Sequence, residues 1–281
     1  MTFMIEKALS VLQLLRSQGP EKDVPKRWLL RTPGRLDRKF RSSASYSYSE
    51  RGEFWEVTVK DQKFLWPRSA PKAMILQLLS EILTPGHPHQ YQYGPTVVGP
   101  DDVVLDIGAC EGSFSALVTA RCKRVVAVEP STSMCRLIAE LFKMRDEPSP
   151  QILKCLLGAE PGKAYFLENA SNPGASRITS EPVPGAYEVP VRTIDELVET
   201  MDDKPTFIKC DAEGAEIDIF SGGEHFLRQF HPRLAITTYH NDGDFAAMYE
   251  LLKSLGYNVM GKGFLFSPGQ GVLRVHMIHA W

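Results

Sequence analysis

Apolar runs and amphipathic segments alternate along the chain from about residue 101 to residue 256. Short apolar runs predict strands at 103–107, 124–128, 151–156, 206–210 and 234–239. Segments with a helical period follow these strands, at 113–121, 132–144, 194–201, 213–229 and 244–255. Strands that alternate with helices over short connections are typical of a parallel sheet covered by helices.

Two further patterns complete the predicted sheet. After Gly256 the chain has two β-rich stretches with no convincing helix between them, which predicts an antiparallel hairpin at the sheet edge. An additional pair of strands is predicted at 163–167 and 187–192. We therefore expect a Rossmann-like α/β fold, in which a mostly parallel seven-stranded sheet has an antiparallel C-terminal strand.

The first 96 residues follow a different pattern, and we interpret them as an N-terminal extension to a main domain at 97–281. The predicted elements are a helix at 3–16 with Ile5, Leu9, Leu12 and Leu15 on one face, a linker or arm at 17–50, a hairpin at 53–66 and a helix at 71–83. A loop crowded with His and Tyr side chains follows the second helix.

The composition is that of an ordinary globular protein. Of 281 residues, 43% are hydrophobic and 23% charged, and the formal net charge of −2 gives no general reason to expect a nucleic-acid partner. The segment 22–41 is locally basic, which favours a solvated arm over a site for an anionic partner. No apolar run has the length of a membrane span, so we expect a cytoplasmic protein without a membrane partner.

The stretch 103–130 carries the most informative motif, an apolar strand, a turn of the form D-x-G-x-x-x-G, a helix and a second strand that ends in an acid. A dinucleotide fingerprint would require glycine at Cys110. The carboxylate of Asp106 at the strand end, expected to point into the ligand crevice, would repel a pyrophosphate but suits a cation. S-adenosylmethionine (SAM) offers a sulfonium and an ammonium group, so the turn favours SAM over a nicotinamide dinucleotide.

The same unit predicts how such a cofactor would be held. Backbone amides of the turn would bind the methionine carboxylate of SAM at the start of the helix. Glu129 would accept hydrogen bonds from both ribose hydroxyls of SAM. The full set of predicted cofactor-binding residues is Asp106, Gly108, Ala109, Gly112, Ser113, Glu129, Pro130 and Asp211.

A second group of polar residues follows the strand at 206–210. Asp211 comes at its carboxyl end, where it would approach the sulfonium, orient an acceptor or bind a metal. Glu213 and Glu216 open the next helix, as caps or as site residues. His240 follows the strand at 234–239 and is the leading candidate for a general base, with a surface loop position as the alternative. Asp211, Glu213 and His240 could also ligate a metal, but no short-range ligand spacing supports this, and we assign no metal.

Two loops remain open to interpretation. The side chains of the His/Tyr loop either contact the cofactor and acceptor or only pack; they are His87, His89, Tyr91 and Tyr93. The polar segment 168–186 is either a lid over the pocket or a surface excursion.

Two sets of motifs together resemble the FkbM-type methyltransferases over about 97–258. The motifs are "VVLDIGACEGSFS" with "VVAVEPS", and "VPVRTIDEL", "FIKCDAEGAEIDIFSGG" and "LAITTYH". The resemblance implies a class I methyltransferase fold and a SAM-dependent enzyme that usually acts on oxygen, often in secondary-metabolite or glycan biosynthesis. The chain departs from that family's pattern at Cys110, where a polar residue is common, and at Thr237-Thr238, where many relatives have an acid.

These observations lead to one main hypothesis, transfer of the SAM methyl group to a hydroxyl of a small-molecule acceptor. His240 would take the proton, Asp211 would orient it or the acceptor, and Glu213 would belong to the same catalytic group. The alternatives are a metal-assisted O-methyltransferase and a SAM-binding protein without catalysis. A dinucleotide-dependent oxidoreductase ranks last, and a homo-oligomer is left open.

Overall fold

The computed structural model describes residues 2–16, 18–267 and 272–281. The strands are β1 (Tyr46–Arg51), β2 (Phe54–Val59), β3 (Gln62–Pro67), β4 (Val103–Ile107), β5 (Arg124–Val128), β6 (Gln151–Leu153), β7 (Leu156–Leu157), β8 (Gly162–Leu167), β9 (Arg177–Thr179), β10 (Tyr187–Arg192), β11 (Phe207–Cys210), β12 (Arg233–Thr237), β13 (Val259–Ser267) and β14 (Val272–Ala280). The helices are α1 (Thr2–Arg16), α2 (Pro33–Ser43), α3 (Lys72–Leu83), α4 (Ser113–Val118), α5 (Thr132–Arg145), α6 (Ile194–Glu199), α7 (Glu216–Ser221), α8 (Glu224–Phe230) and α9 (Asp244–Ser254).

The largest sheet has the strand order β13-β14-β12-β11-β4-β5-β6. Its central strands run parallel, and β14 is antiparallel to both of its neighbours. The predicted Rossmann-like fold with a reversed C-terminal strand is therefore confirmed. The order reverses beside β4, so ligands are expected at the carboxyl ends of β4, β5, β11 and β12.

The central strands are buried on both faces, which explains their continuous apolar character. All five residues of β4 and all four residues of β11 are buried. The charged exceptions in these two strands are Asp106 and Lys209, and the register places them opposite each other. A charge in a buried strand is costly unless it is paired, so this pair marks the part of the sheet where polar function is expected.

The predicted strand pair after β6 forms part of a second, smaller sheet with the order β7-β10-β8-β9. Helix α6 begins with a capping box, in which Thr193 and Glu196 bind each other's backbone N–H groups. The pair Gly222-Gly223 separates α7 from α8, so two shorter helices replace the helix predicted at 213–229.

The N-terminal extension contains the predicted hairpin, with β1 added as a third strand in the order β1-β2-β3. The prediction of a linker or arm at 17–50 is wrong. This segment forms short 3₁₀ turns, α2 and β1. The segment is anchored to the rest of the protein because the side chains of Trp28 and Phe40 are buried, with only 3% and 9% of the residue surface exposed.

Helix α1 is present, but its predicted apolar face is not the buried one. Leu9, Leu12 and Leu15 expose 55%, 48% and 55% of their surface, whereas Leu14 is buried. The side chain of Ile5 lies outside the described residues. Within the described part of the chain, no helix combines the length and apolar character needed to cross a bilayer.

Candidate functional site

Two neighbouring pockets open at the carboxyl ends of the central strands. The β5-side pocket lies beside Glu129 and Pro130. Its volume is about 760 Å³, which includes space at the mouth that is open to solvent. The α3-side pocket lies beside α3 and encloses about 1040 Å³ on the same measure. The pockets share part of their lining, formed by Gly108, Cys110, Gly174, Asp211 and Glu213. They therefore meet where the turn after β4 faces the segment after β11.

The turn after β4 needs glycine for two separate reasons. Gly108 has a φ of +69°, and a Cβ atom there would lie 1.9 Å from the carbonyl oxygen of Asp211. Gly112 has a φ of +76° and packs against Ile138. Cys110 also has a positive φ, of 48°, although it carries a side chain. Such a conformation is uncommon for a residue other than glycine and concentrates at functional sites.

Asp106 does not point into the open crevice, which corrects the sequence-based expectation. Its carboxylate is fully buried, lies 3.0 Å from Lys209 Nζ and accepts a hydrogen bond from the Ser115 hydroxyl over 2.7 Å. Lys209 Nζ also donates to the carbonyl oxygen of Gly108 over 2.6 Å. Burial alone would lower the pKa of Lys209, but the charges of Asp106 and Asp211 raise it above its ordinary value. The Asp106–Lys209 pair therefore stabilises the turn after β4 through the hydrogen bond from Lys209 to Gly108.

Glu129 faces the β5-side pocket, as predicted for a ribose-binding residue. Its two carboxylate oxygens accept the backbone N–H of Cys110 over 2.8 Å and of Ser131 over 2.9 Å. Burial raises the pKa of Glu129 to about 7, and these hydrogen bonds act in the opposite direction. Each oxygen keeps capacity for a further donor, because a carboxylate oxygen accepts more than one hydrogen bond.

The remaining predicted cofactor residues divide between the two pockets. Pro130 lines the β5-side pocket, whereas Ala109 and Ser113 line the α3-side pocket. Segment 168–186 contributes to both linings, through Pro173 and Ile178 on one side and Asn172 on the other. This segment is therefore a wall of the site.

Asp211 lies at the junction of the pockets, and four side chains lie within 3.5 Å of its carboxylate oxygens. Its Oδ2 accepts a hydrogen bond from the Tyr91 hydroxyl over 2.6 Å and lies 3.1 Å from His89 Nε2. Its Oδ1 accepts from the Thr237 hydroxyl over 3.1 Å and lies 3.5 Å from His240 Nε2. Burial alone would raise the pKa of Asp211, but His89 and the nearby positive charges hold it well below its ordinary range. Asp211 is therefore ionised at neutral pH.

Two of the four side chains in the His/Tyr loop contact the site, and the other two pack elsewhere. His89 and Tyr91 belong to the site, whereas His87 faces Asp37 at 3.3 Å and Tyr93 accepts from Arg27 over 3.1 Å. The sequence singled out all four side chains but carried no signal that separates them.

His240 is surrounded by three carboxylates. Its Nδ1 lies 3.1 Å from Glu216, and its Nε2 lies 3.5 Å from Asp211 and 3.5 Å from Glu213. Burial would lower the pKa of His240, but these carboxylates raise it to about 9. An imidazolium has no lone pair with which to accept a proton, so the structure does not favour the predicted general-base role of His240.

Glu213 differs from the other two carboxylates because its side chain is 59% exposed. It lines both pockets and has a φ of +54°, an uncommon conformation for a residue with a side chain. Partial desolvation by the surrounding protein and the charge of Asp211 raise its pKa to about 7. Of the three predicted catalytic residues, Glu213 has the most exposed side chain.

A family model described as the methyltransferase FkbM domain matches residues 106–259, which is more than half of the chain. No curated protein matches the sequence. Among solved structures, the chain resembles a methyltransferase FkbM from Methylobacillus flagellatus KT with a TM-score of 0.50 and 20% identity. The match covers 76% of this chain and 56% of that protein, so the chain spans little more than half of its length.

Two further solved structures are similar to the chain with lower scores. A precorrin-6y C5,15-methyltransferase from Geobacter metallireducens GS-15 gives a TM-score of 0.41 at 16% identity, covering 66% of this chain and 82% of that one. A methyltransferase from Streptococcus mutans, described as putative and solved with S-adenosylhomocysteine (SAH), gives 0.42 at 12%, covering 66% and 91%.

Proposed function

This chain belongs to the FkbM methyltransferase family, and we propose that it transfers the methyl group of SAM to a hydroxyl group of a small molecule. The observation that carries the proposal is the meeting of two pockets at Gly108, Asp211 and Glu213. Methyl transfer requires a donor and an acceptor held in line, and two pockets that open onto one point provide that alignment.

The residues of the β5-side pocket suit the nucleoside part of SAM. Glu129 offers carboxylate oxygens to a ribose, and the side chains of Met134, Phe166 and Ile219 give apolar walls for a flat base. Asp211, which is ionised at neutral pH and lies at the inner end of the pocket, attracts a cationic donor. When bound, SAM supplies a methyl group that its sulfonium has already activated, so the protein needs only to align the groups and accept one proton.

The α3-side pocket suits the acceptor. Its outer wall comes from the N-terminal extension, through Trp66, Met74, Leu78 and Ile82. These residues precede the family match at 106–259, so this wall lies outside the part of the chain that the family model covers. The lining combines apolar side chains with polar and charged ones, among them Gln77, Glu81, His89, Lys209 and Tyr239, so the pocket offers hydrogen-bonding partners to a hydroxylated acceptor.

Glu213 is placed to receive the proton of the acceptor hydroxyl. Its carboxylate lines both pockets and is the exposed member of the acidic group, whereas His240 is enclosed by carboxylates. In this account Glu213 is the base, Asp211 holds charge and position, and His240 is a positioning residue.

The change Glu213→Gln tests this account, because it keeps shape and removes the proton acceptor. We expect the rate of SAH formation to fall about 100-fold or more, while calorimetry shows SAM binding close to that of the wild type. The measurement is SAH release over a panel of hydroxylated small molecules. Glu224→Gln, an exposed acid on α8, serves as the matched control.

Unchanged turnover in Glu213→Gln would remove this residue from the mechanism. If the wild type binds SAM but forms no SAH with any compound of the panel, the non-catalytic alternative replaces the enzyme.

A further inference from the structure

Three side chains behind the pocket junction converge on one small volume. Asp211 follows β11, Glu216 begins α7, and His240 follows β12. One potential ligand atom from each lies within 4.8 Å of the others. The side chains of Glu216 and His240 are 2% and 9% exposed, so this cluster belongs to the interior and is not a group of solvated surface acids.

The cluster leaves polar atoms without hydrogen bonds. Within the residues that the structure describes, neither ring nitrogen of His240 has a partner of hydrogen-bond geometry, although carboxylate oxygens lie within 3.5 Å. Glu216 Oε2 is buried and likewise has no hydrogen-bond partner there. Buried polar atoms are normally satisfied by protein, water or an ion, so this arrangement points to a missing ligand.

We propose that Asp211, Glu216 and His240 bind one divalent metal ion. The donors are two carboxylates and one imidazole, a mixed oxygen and nitrogen set that suits ions such as Mn²⁺. His240 would release its proton to solvent when it binds the ion, since a ligating imidazole is neutral. The Thr237 hydroxyl lies 3.1 Å from both Asp211 Oδ1 and Glu216 Oε1, and so orients the two carboxylates from outside the ligand set. The ligands differ from those considered from the sequence, because Glu216 takes the place of Glu213.

The ion would link the ends of β11 and β12 directly behind the pockets. It would hold both ends of the segment 211–216, which includes the exposed Glu213 with its positive φ. Metal binding itself does not depend on the proposed methyl transfer. An effect of the ion on turnover does rest on that function, through the position of Glu213.

The test uses full-length protein freed of metal by a chelator and then titrated with Mn²⁺. Electron paramagnetic resonance counts free Mn²⁺, and calorimetry gives the affinity. We expect one Mn²⁺ per chain, and we expect Glu216→Gln and His240→Ala each to weaken binding at least about tenfold. Glu216→Gln nearly preserves shape, so it carries the test if circular dichroism shows that His240→Ala does not fold.

Two matched controls lie on α8, outside the cluster. Glu224→Gln and His225→Ala change the same residue types at exposed positions, and both should bind Mn²⁺ as the wild type does. Absence of Mn²⁺ uptake, or equal affinity in the cluster and control variants, would overturn the proposal. SAM binding is measured on the same metal-free protein, so failure of the metal site and failure of the proposed function give different results.

Discussion

At the scale of single residues, the charged groups of the candidate site surround Lys209. This side chain is almost fully buried and lies 3.0 Å from the Asp106 carboxylate, and the charge of Asp211 also acts on it. Asp106 and Lys209 neutralise each other beneath the turn, whereas Asp211 directs its charge to the junction of the pockets. A buried charge that loses its partner is strongly destabilising, so this pair acts as a fixed support.

At Glu129 the account predicts that SAM affinity depends on pH. Burial raises the pKa of this carboxyl to about 7, so it is mostly protonated below pH 7 and ionised above it. The ionised form accepts the ribose hydroxyls, and SAM binding should therefore weaken as the pH falls through 7. Calorimetry at pH 8 and pH 6 should give affinities that differ by about tenfold.

Glu129→Gln is the control for this pH dependence, because the amide does not titrate. Its SAM affinity should be lower than that of the wild type and nearly constant over the same range. A wild-type affinity that stays flat between pH 6 and 8 would contradict the assignment of Glu129 to the ribose.

Some of these residues were identifiable from the sequence and others were not. Glu129, Asp211 and Glu213 follow strands, and the carboxyl ends of parallel strands share one edge. The roles of His89 and Tyr91 were not predictable, because their contacts with Asp211 span 122 and 120 positions of the chain. The burial of Asp106 was missed because its partner Lys209 lies on another strand.

At the scale of elements, the turn between β4 and α4 is the most constrained part of the site. Its backbone takes left-handed conformations at Gly108, Cys110 and Gly112. The close approach of Gly108 to the carbonyl of Asp211 joins the turn to the segment after β11. Both pockets depend on this contact because Gly108 and Asp211 line both of them.

Gly108→Ala should therefore damage stability and cofactor binding together. The new Cβ would lie 1.9 Å from a backbone oxygen, at a φ of +69°. We expect a loss of at least about 2 kcal/mol in the free energy of unfolding, measured by urea denaturation, and loss of SAM binding. Gly162→Ala is the control, since a Cβ there meets nothing within 4 Å. Equal stability of the two variants would show that the turn is less constrained than described.

Elements with a clear period were predicted well, and so was the final hairpin. The errors fall in the N-terminal extension. Segment 17–50 has no period of its own, and its structure depends on burial of Trp28 and Phe40 against other parts of the chain. Such contacts are tertiary, and a local pattern does not encode them. The division at residue 96 stays a prediction.

At the scale of the whole molecule, two parts of the chain build the two sides of one site. The β5-side pocket is lined by residues from 107–219, within the family match at 106–259. The α3-side pocket adds residues from 66–91, which lie before it. The proposed function thus places the donor within the part of the fold that the family model matches and the acceptor partly against the N-terminal extension.

A crystal structure of the protein with SAH would show where the cofactor lies and which side chains hold it. We expect density for the nucleoside in the β5-side pocket, with the ribose hydroxyls on Glu129 and the sulfur facing the junction beside Asp211 and Glu213. Density at any other place, or none at a saturating concentration of SAH, would contradict this expectation.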